Sequence, residues 1–268
     1  MVMDCQMRTR CWGRLLAAWM CLAAVLSLTA AQAERVRFLD KEFICYRVDW
    51  RTDRLALYWK DKNNKPLGNF SRLREHVRPA ELKFAMNAGI FSRDLTPVGL
   101  HVEGGQTLVP LNLKSREEGQ YNFYLKPNGV FYLNARGPRV VSSETFAVLN
   151  EPVLMACQSG PLLLTNGVFH PAFRPASTNF HYRSGVGVNA KGEVVFALSL
   201  QRVRFYDFAR LFKEKLGCEE ALYLDGEICA VYLPEMGLKD DARSSFAAMF
   251  AVTVPIATKV GGKGGGKQ

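Results

Sequence analysis

Between Phe43 and Val254 the apolar residues come in short runs broken by turn-forming peptides, and this pattern constrains the fold more than any other feature of the chain. "FICYRVDW" (43–50) alternates Ile44, Tyr46, Val48 and Trp50 on one face, as a half-buried strand does, and "RLALYWK" (54–60) follows after a polar turn. Two longer stretches read as hairpins. "NFYLKPNGVFYLN" (122–134) turns at Pro127-Asn128-Gly129, and "VGVNAKGEVVFALSL" (186–200) turns at Asn189-Ala190-Lys191-Gly192. "EEALYLDGEICAVYL" (219–233) reads as strand, turn, strand, and "SSFAAMFAVTV" (244–254) as a closing strand. Helical spacing appears in "NFSRLREHV" (69–77) and in "RFYDFARLFKEKLG" (204–217). In the second, Phe205, Phe208, Leu211, Phe212 and Leu216 share a face and Gly217 ends the helix. Many short strands and few helices, without regular alternation, predict an α+β single domain: a mixed, largely antiparallel twisted sheet with a few packed helices.

The first 33 residues stand outside that pattern. Arg8, Arg10 and Arg14 precede the apolar run Leu15 to Ala30, and Ala31-Gln32-Ala33 supplies small residues where a signal peptidase cuts. The run is short for a spanning helix and polar sequence follows at once, so residues 1–33 read as a cleaved export signal. The mature protein is then periplasmic or secreted, with no membrane span. Residues 34–258 form the domain, and the Gly/Lys-rich tail 259–268, with nothing to bury, is expected to be disordered.

Loss of Asp4 and the three arginines with the signal takes the formal charge from +10 to +8. That excess suits an anionic partner, although no nucleic-acid motif accompanies it. Of the seven cysteines, Cys45, Cys157, Cys218 and Cys229 remain after export. Cys218 and Cys229 flank one strand and its turn and are the favoured disulfide pair; buried free thiols are the alternative.

Several chemistries find no support. His76, His101, His170 and His181 form no His-x-x-x-His pair and no Cys-x-x-Cys is present, so no metal site is expected; nor does any motif call for a cofactor. His101 and His170 read as surface or loop residues. "CQSGP" (157–161) lacks the first glycine of a nucleophile elbow, which leaves Ser159 without the setting of a serine hydrolase, and Cys157 follows an apolar run and reads as an inert strand thiol.

What remains is a set of strand ends that close on a polar residue beside glycine: Asn87-Ala88-Gly89, Gln158-Ser159-Gly160-Pro161, Arg183-Ser184-Gly185 and Asp225-Gly226-Glu227. Taken singly, each also reads as a turn. Taken together they supply a carboxylate, an arginine, an amide, a hydroxyl and backbone N–H groups to one anion-gripping cleft. The apolar run Ala221-Leu222-Tyr223-Leu224 places Asp225 at the mouth of a buried strand, where a carboxylate needs a partner.

The order of these motifs resembles the phosphodiester glycosidase family. The segments that carry the resemblance are "MNAGIFSRDLTPVGLHVEGG" (86–105), "NFYLKPNGVF" (122–131), "QSGPLLLTNGVFHPAF" (158–173), "RSGVGV" (183–188), "YDFARLFKEKLGC" (206–218) and "LYLDGEI" (222–228). The resemblance implies hydrolysis of a sugar-1-phosphodiester at the glycosidic bond. It implies catalytic roles for Asp225, Arg183 and Asn87, and substrate binding by Gly89, Ser159, Gly160, Gly226 and Glu227. Glu227 stands where a further glycine or serine often follows the aspartate-glycine pair, and this departure gives Glu227 a possible share of the acid–base role. An ordinary glycosidase needs two carboxylates because its alkoxide leaving group must be protonated. A phosphate monoester, with a second pKa near ~6, leaves more easily. A non-catalytic module that binds anionic glycan through the same cleft is the alternative from a different class.

Overall fold

The strand Lys41–Val48 alternates as its sequence predicts, yet both of its faces are covered: Ile44, Tyr46 and Val48 enter one apolar cluster, Phe43 and Cys45 another. Two cores on one strand require a sheet packed on both sides, and the rest of the architecture follows from this. The computed structural model describes residues 32–115, 122–226, 228–239 and 245–256. It has three sheets, and every strand pair assigned in them is antiparallel.

The seven-stranded sheet runs in spatial order Ala33–Phe38, Lys41–Val48, Val194–Ser199, Ser184–Asn189, Cys218–Tyr223, Leu162–Thr165 and Val168–Phe169. One five-stranded sheet contains Leu238–Lys239, Val231–Leu233, Glu81–Asn87, Met249–Val254 and Arg54–Tyr58. The other contains Gln106–Val109, His101–Glu103, Met155–Ser159, Gly129–Asn134 and Gly137–Ser142. The fold is α+β and mainly β, in agreement with the sequence pattern, with the strands divided among three sheets.

The sheets meet in a shared core threaded by aromatic rings. Tyr46 stacks on Phe84 at 4.2 Å, Phe84 meets Phe196 at 5.2 Å, Phe196 meets Phe250 at 5.1 Å, and Phe250 meets Phe131 at 5.5 Å. These five rings come from all three sheets, so the core holds the sheets to one another and not only to their helices. On its outer face the seven-stranded sheet carries Phe205–Arg210 and the π-helical turn Leu211–Lys215, with Gly217 at φ +68° ending the helix. A Cβ on Gly187 would lie 2.8 Å from Phe212 and 2.9 Å from the Cys218 sulfur, so this glycine lets the helix rings rest directly on strand backbone. Phe70–His76, capped by Asn69, whose side chain accepts from the Arg72 N–H, covers the first five-stranded sheet through Phe70 and Leu73.

Several expectations are corrected. The predicted hairpin 122–134 does not form. Asn122–Tyr124 is a 3-10 turn, and Gly129–Asn134 pairs with the following strand Gly137–Ser142 across Ala135-Arg136. Phe123 is fully buried and its carbonyl accepts from the Asn128 side chain, so the segment is pinned as a loop before it can extend. The strand, turn, strand reading of 219–233 holds, although Cys218–Tyr223 and Val231–Leu233 belong to different sheets and the chain from 224 to 230 crosses between them. His101 and His170 are buried, at 1% and 4% exposure, not on the surface. The expected export signal lies almost wholly, and the terminal tail wholly, outside the described residues.

The favoured Cys218–Cys229 disulfide is absent, and Cys45, Cys157, Cys218 and Cys229 are all free thiols. Cys218 opens its strand, whereas the Cys229 sulfur donates to the Asp225 carbonyl beyond the strand's other end. At ~3.3 Å per residue this separation is roughly 20 Å, far above the ~7 Å limit for a disulfide. A chain beginning at Glu34, denatured without reductant, should therefore take up four iodoacetamide adducts by mass spectrometry. A count short by two would restore a bridge.

Candidate active site

The crossing segment 224–230 leaves the seven-stranded sheet for its neighbour, and every backbone group that it takes out of a ladder needs a new partner. Three strand ends supply them. The Ser184 N–H and hydroxyl donate to the Asp225 carbonyl at 2.8 and 3.0 Å, and the hydroxyl accepts from the Asp225 N–H at 3.2 Å. Asn87, closing Glu81–Asn87, accepts from the Ala230 N–H at 3.1 Å and donates to the Ser184 hydroxyl at 3.2 Å. Ser159, closing Met155–Ser159, donates to the Leu224 carbonyl at 2.9 Å. All three sheets thus grip the crossing, at Leu224, Asp225 and Ala230.

The convergence of Asn87, Ser159, Arg183, Asp225 and Gly226, beyond reach of spacing arguments, is present in the structure. The expected roles change, however. Asn87 is 1% exposed and its amide is spent on Ser184, Ala230 and the Ala88 carbonyl, so it offers nothing to a ligand. The Gly89 N–H is not open backbone: it points at the Cys157 sulfur, 3.3 Å away, and a Cβ here would meet the Gln158 carbonyl at 2.7 Å. Ser159 is fully buried, and a Cβ on Gly160 would strike the Asn128 side chain at 2.5 Å. These four residues build the site from behind. Gly226 is required by a similar approach, its missing Cβ lying 2.6 Å from the Tyr182 carbonyl. Glu227 lies outside the described residues.

Asp225 is half-buried, and its Oδ1 accepts from the Gly226 N–H at 2.6 Å. Its charge, after burial, helps push up the pKa of the Tyr223 phenol; at Cys229 burial first, then Asp225, raises the thiol to about 12, so both groups stay protonated. Arg183 is fully buried. Its Nε donates to the Val203 carbonyl at 2.9 Å, and one Nη donates to the Asn179 backbone and side-chain oxygens at 3.3 and 3.2 Å. The guanidinium lies 3.5 Å from the Phe205 ring centre and 5.7 Å from that of Tyr223. Burial lowers its pKa to about 10, which leaves it charged at neutral pH. Among the described residues no carboxylate pairs with it within 4.0 Å. Arg183 is therefore a covered cation, compensated by carbonyls and ring faces, and not the open phosphate clamp its position in the sequence suggested. Behind Phe205 the stack continues through Phe173 to the buried His170.

Comparison with known proteins identifies this arrangement. Residues 80–228 match the model of the phosphodiester glycosidase family. The chain belongs to that family. The matched segment contains every strand end described above, from Asn87 to Gly226. Among curated proteins, this phosphodiester glycosidase family member is 39% identical over 189 residues to the uncharacterised protein YigE of Escherichia coli, covering 70% of this chain and 73% of that one. Among solved structures it shares its fold with the auto-inhibited catalytic domain of zebrafish N-acetylglucosamine-1-phosphodiester alpha-N-acetylglucosaminidase. The TM-score is 0.57 at 13% identity, over 82% of this chain and 81% of that one. A Burkholderia pseudomallei protein described as exported gives a TM-score of 0.51 at 10% identity, over 79% and 74% of the two chains.

Ser184 is the residue that the sequence reading passed over. Its place between Arg183 and Gly185 at a strand start was the available signal, but a serine there looked like part of a turn. Ser184→Ala removes the acceptor of the Asp225 N–H and the Asn87 amide together. It should cost about 1–3 kcal/mol, the usual price of leaving buried donors unpaired, measured as a lower urea midpoint at unchanged m. An unchanged midpoint would remove Ser184 from its place at the centre of the junction.

Proposed function

We propose that this family member is an exported hydrolase that cleaves the glycosidic bond of a sugar-1-phosphodiester. The observation that carries the proposal is Asp225: a half-buried carboxylate on a crossing held by all three sheets, close to the strand that carries a buried arginine still charged at neutral pH. Family membership and the fold shared with a phosphodiester glycosidase support the same reaction class.

In this scheme Asp225 attacks the anomeric carbon or takes a proton from the water that does. The C1–O bond breaks and its electron pair leaves on the phosphate oxygen, giving a phosphate monoester. That leaving group needs no strong acid near neutral pH, because its second pKa is near ~6. One presented carboxylate is then enough, in contrast to the carboxylate pair that alkoxide departure demands. Arg183 acts through its field: a buried positive charge lowers the energy of the negative charge building on the phosphate without a direct contact. Asn87, Ser184 and Ser159 hold the crossing that carries Asp225. They matter for geometry, as positioning residues.

Sugar release from a panel of hexose-1-phosphodiesters tests this reading. Wild-type residues 34–268 should liberate free hexose and Asp225→Asn should fall by at least about a thousandfold, on the scale of losing an essential nucleophile or base. Full turnover by Asp225→Asn would remove Asp225 from the chemistry. Binding without release by either form would favour the glycan-binding alternative.

Export rests on the basic and apolar character of residues 1–33 and on the exported neighbour of similar fold. Protein recovered from the periplasm or medium should begin at Glu34. Retention in the cytoplasm with Met1 intact would overturn it.

A further inference from the structure

The loop that leads into Arg183 has a property that the reaction itself does not require. Phe180, His181 and Tyr182 are consecutive and exposed, with Phe180 at 38% and Tyr182 at 46% exposure. Exposed aromatic rings are ordinary on a mobile loop, but this loop is fastened at several points. Arg183 donates to Asn179, Arg204 Nε donates to the Ser177 carbonyl at 2.7 Å, and His181 and Val203 exchange backbone hydrogen bonds at 3.2 and 2.8 Å. The Arg204 guanidinium also sits 4.6 Å from the Phe180 ring centre and 3.5 Å from Asp207. Two large rings are therefore held facing water by hydrogen bonds from buried or half-buried arginines. Such preorganised, exposed aromatic surface marks a contact site.

The segments that carry the rings are basic, and the nearby acid Asp207 is paired with Arg204. From Gln158 to Tyr206 the chain contains a single acid, Glu193, against Arg174, Arg183, Lys191, Arg202 and Arg204. Glu193 is bound to Asn189 in the turn at the far end of its hairpin. Arg174 and Arg202 are exposed on the segments that flank the rings. An occupant of this surface combines a flat apolar face with negative charge.

We infer that Phe180 and Tyr182 stack against the sugar on the far side of the scissile phosphate and so set the specificity for it. This rests on the proposed hydrolase reading. With Asp225 facing the anomeric carbon and the phosphate drawn toward the Arg183 charge, the group beyond the phosphate passes over the loop 174–182. Pyranose rings offer the apolar C–H faces that Phe and Tyr rings stack upon, and Arg174 and Arg202 meet the next phosphate of a polymer.

Two synthetic probes decide it: a methyl hexose-1-phosphodiester and the matching hexose-1-phospho-6-hexose. Affinities are measured by calorimetry on Asp225→Asn, so that turnover does not interfere, and hexose release is measured separately on the wild-type chain. The two-sugar probe should bind about five- to tenfold tighter than the methyl probe, the range for one or two ring contacts. That ratio should collapse toward one when Phe180→Ala and Tyr182→Ala are added. It should survive with Phe180→Trp, which keeps the stacking face, and with Leu154→Ala, an exposed control in the bend before the strand Met155–Ser159. No preference for the second sugar, or a preference that outlasts loss of both rings, overturns the inference, as does failure of both probes to bind. If the wild type releases no hexose while the ring-dependent preference stands, the hydrolase reading fails and the stacking site does not.

Discussion

The hydrogen bonds that three strand ends make to the crossing at residues 224–230 are the constraint on which the rest of the structure depends. A strand leaving one sheet for another exposes a row of backbone groups in the middle of the protein, and each one left unpaired costs about 1–3 kcal/mol. Asn87, Ser159 and Ser184 pair these groups, one side chain from each sheet. The bonds of Ser184 also fix the Asp225 backbone, and the Gly226 N–H holds its carboxylate. A catalytic group needs this kind of placement, since a misplacement of about 1 Å is enough to cost a hundredfold in rate.

The aromatic path from Tyr46 to Phe131 explains how three sheets stay in register around that junction. Each ring pair in the path links a different pair of strands, and all four links cross from one sheet to another. Ring contacts of this type contribute about 0.5–1.5 kcal/mol beyond the area they bury. Their larger effect here is geometric: a sheet that slipped by one residue would turn its ring out of the shared core, since successive side chains face opposite ways.

The sequence shows its strands and helices well and its long-range pairings badly. The turn at 189–192 and the amphipathic helix ending at Gly217 were legible because local residues determine them. The hairpin at 127–129 failed, and the sheet partners of the two strands within 219–233 stayed hidden, for one reason. A proline-asparagine-glycine or aspartate-glycine peptide signals a change of direction, but the next partner is chosen by distant strands. Phe123 and Asn128 lock one segment as a loop, while Asn87 draws the other into a second sheet. The candidate site was legible as a set of strand ends, and the family resemblance was carried by the same residues. The distribution of labour among them was not. Buried amides and glycines look alike in sequence whether they face a ligand or a neighbouring strand, and at Asn87, Gly89, Ser159 and Gly160 the neighbour is protein.

This division sharpens the electrostatic argument. Arg183 is covered, so under the proposed reaction a substrate phosphate would meet its charge across a layer of protein and not through paired hydrogen bonds. A full charge about 6 Å away, at an effective dielectric near ~20, still contributes roughly 3 kcal/mol. Fixed carbonyls from Val203 and Asn179 compensate the cation only in part, because dipoles fall off faster than a charge. A charge fixed in this way, unlike a mobile lysine, needs no reorganisation when negative charge develops nearby. A site of this type favours a substrate that already carries charge at the bond to be broken, as a phosphodiester does. It gives much less help to a neutral glycoside, for which the single presented carboxylate leaves the departing alkoxide without a proton donor.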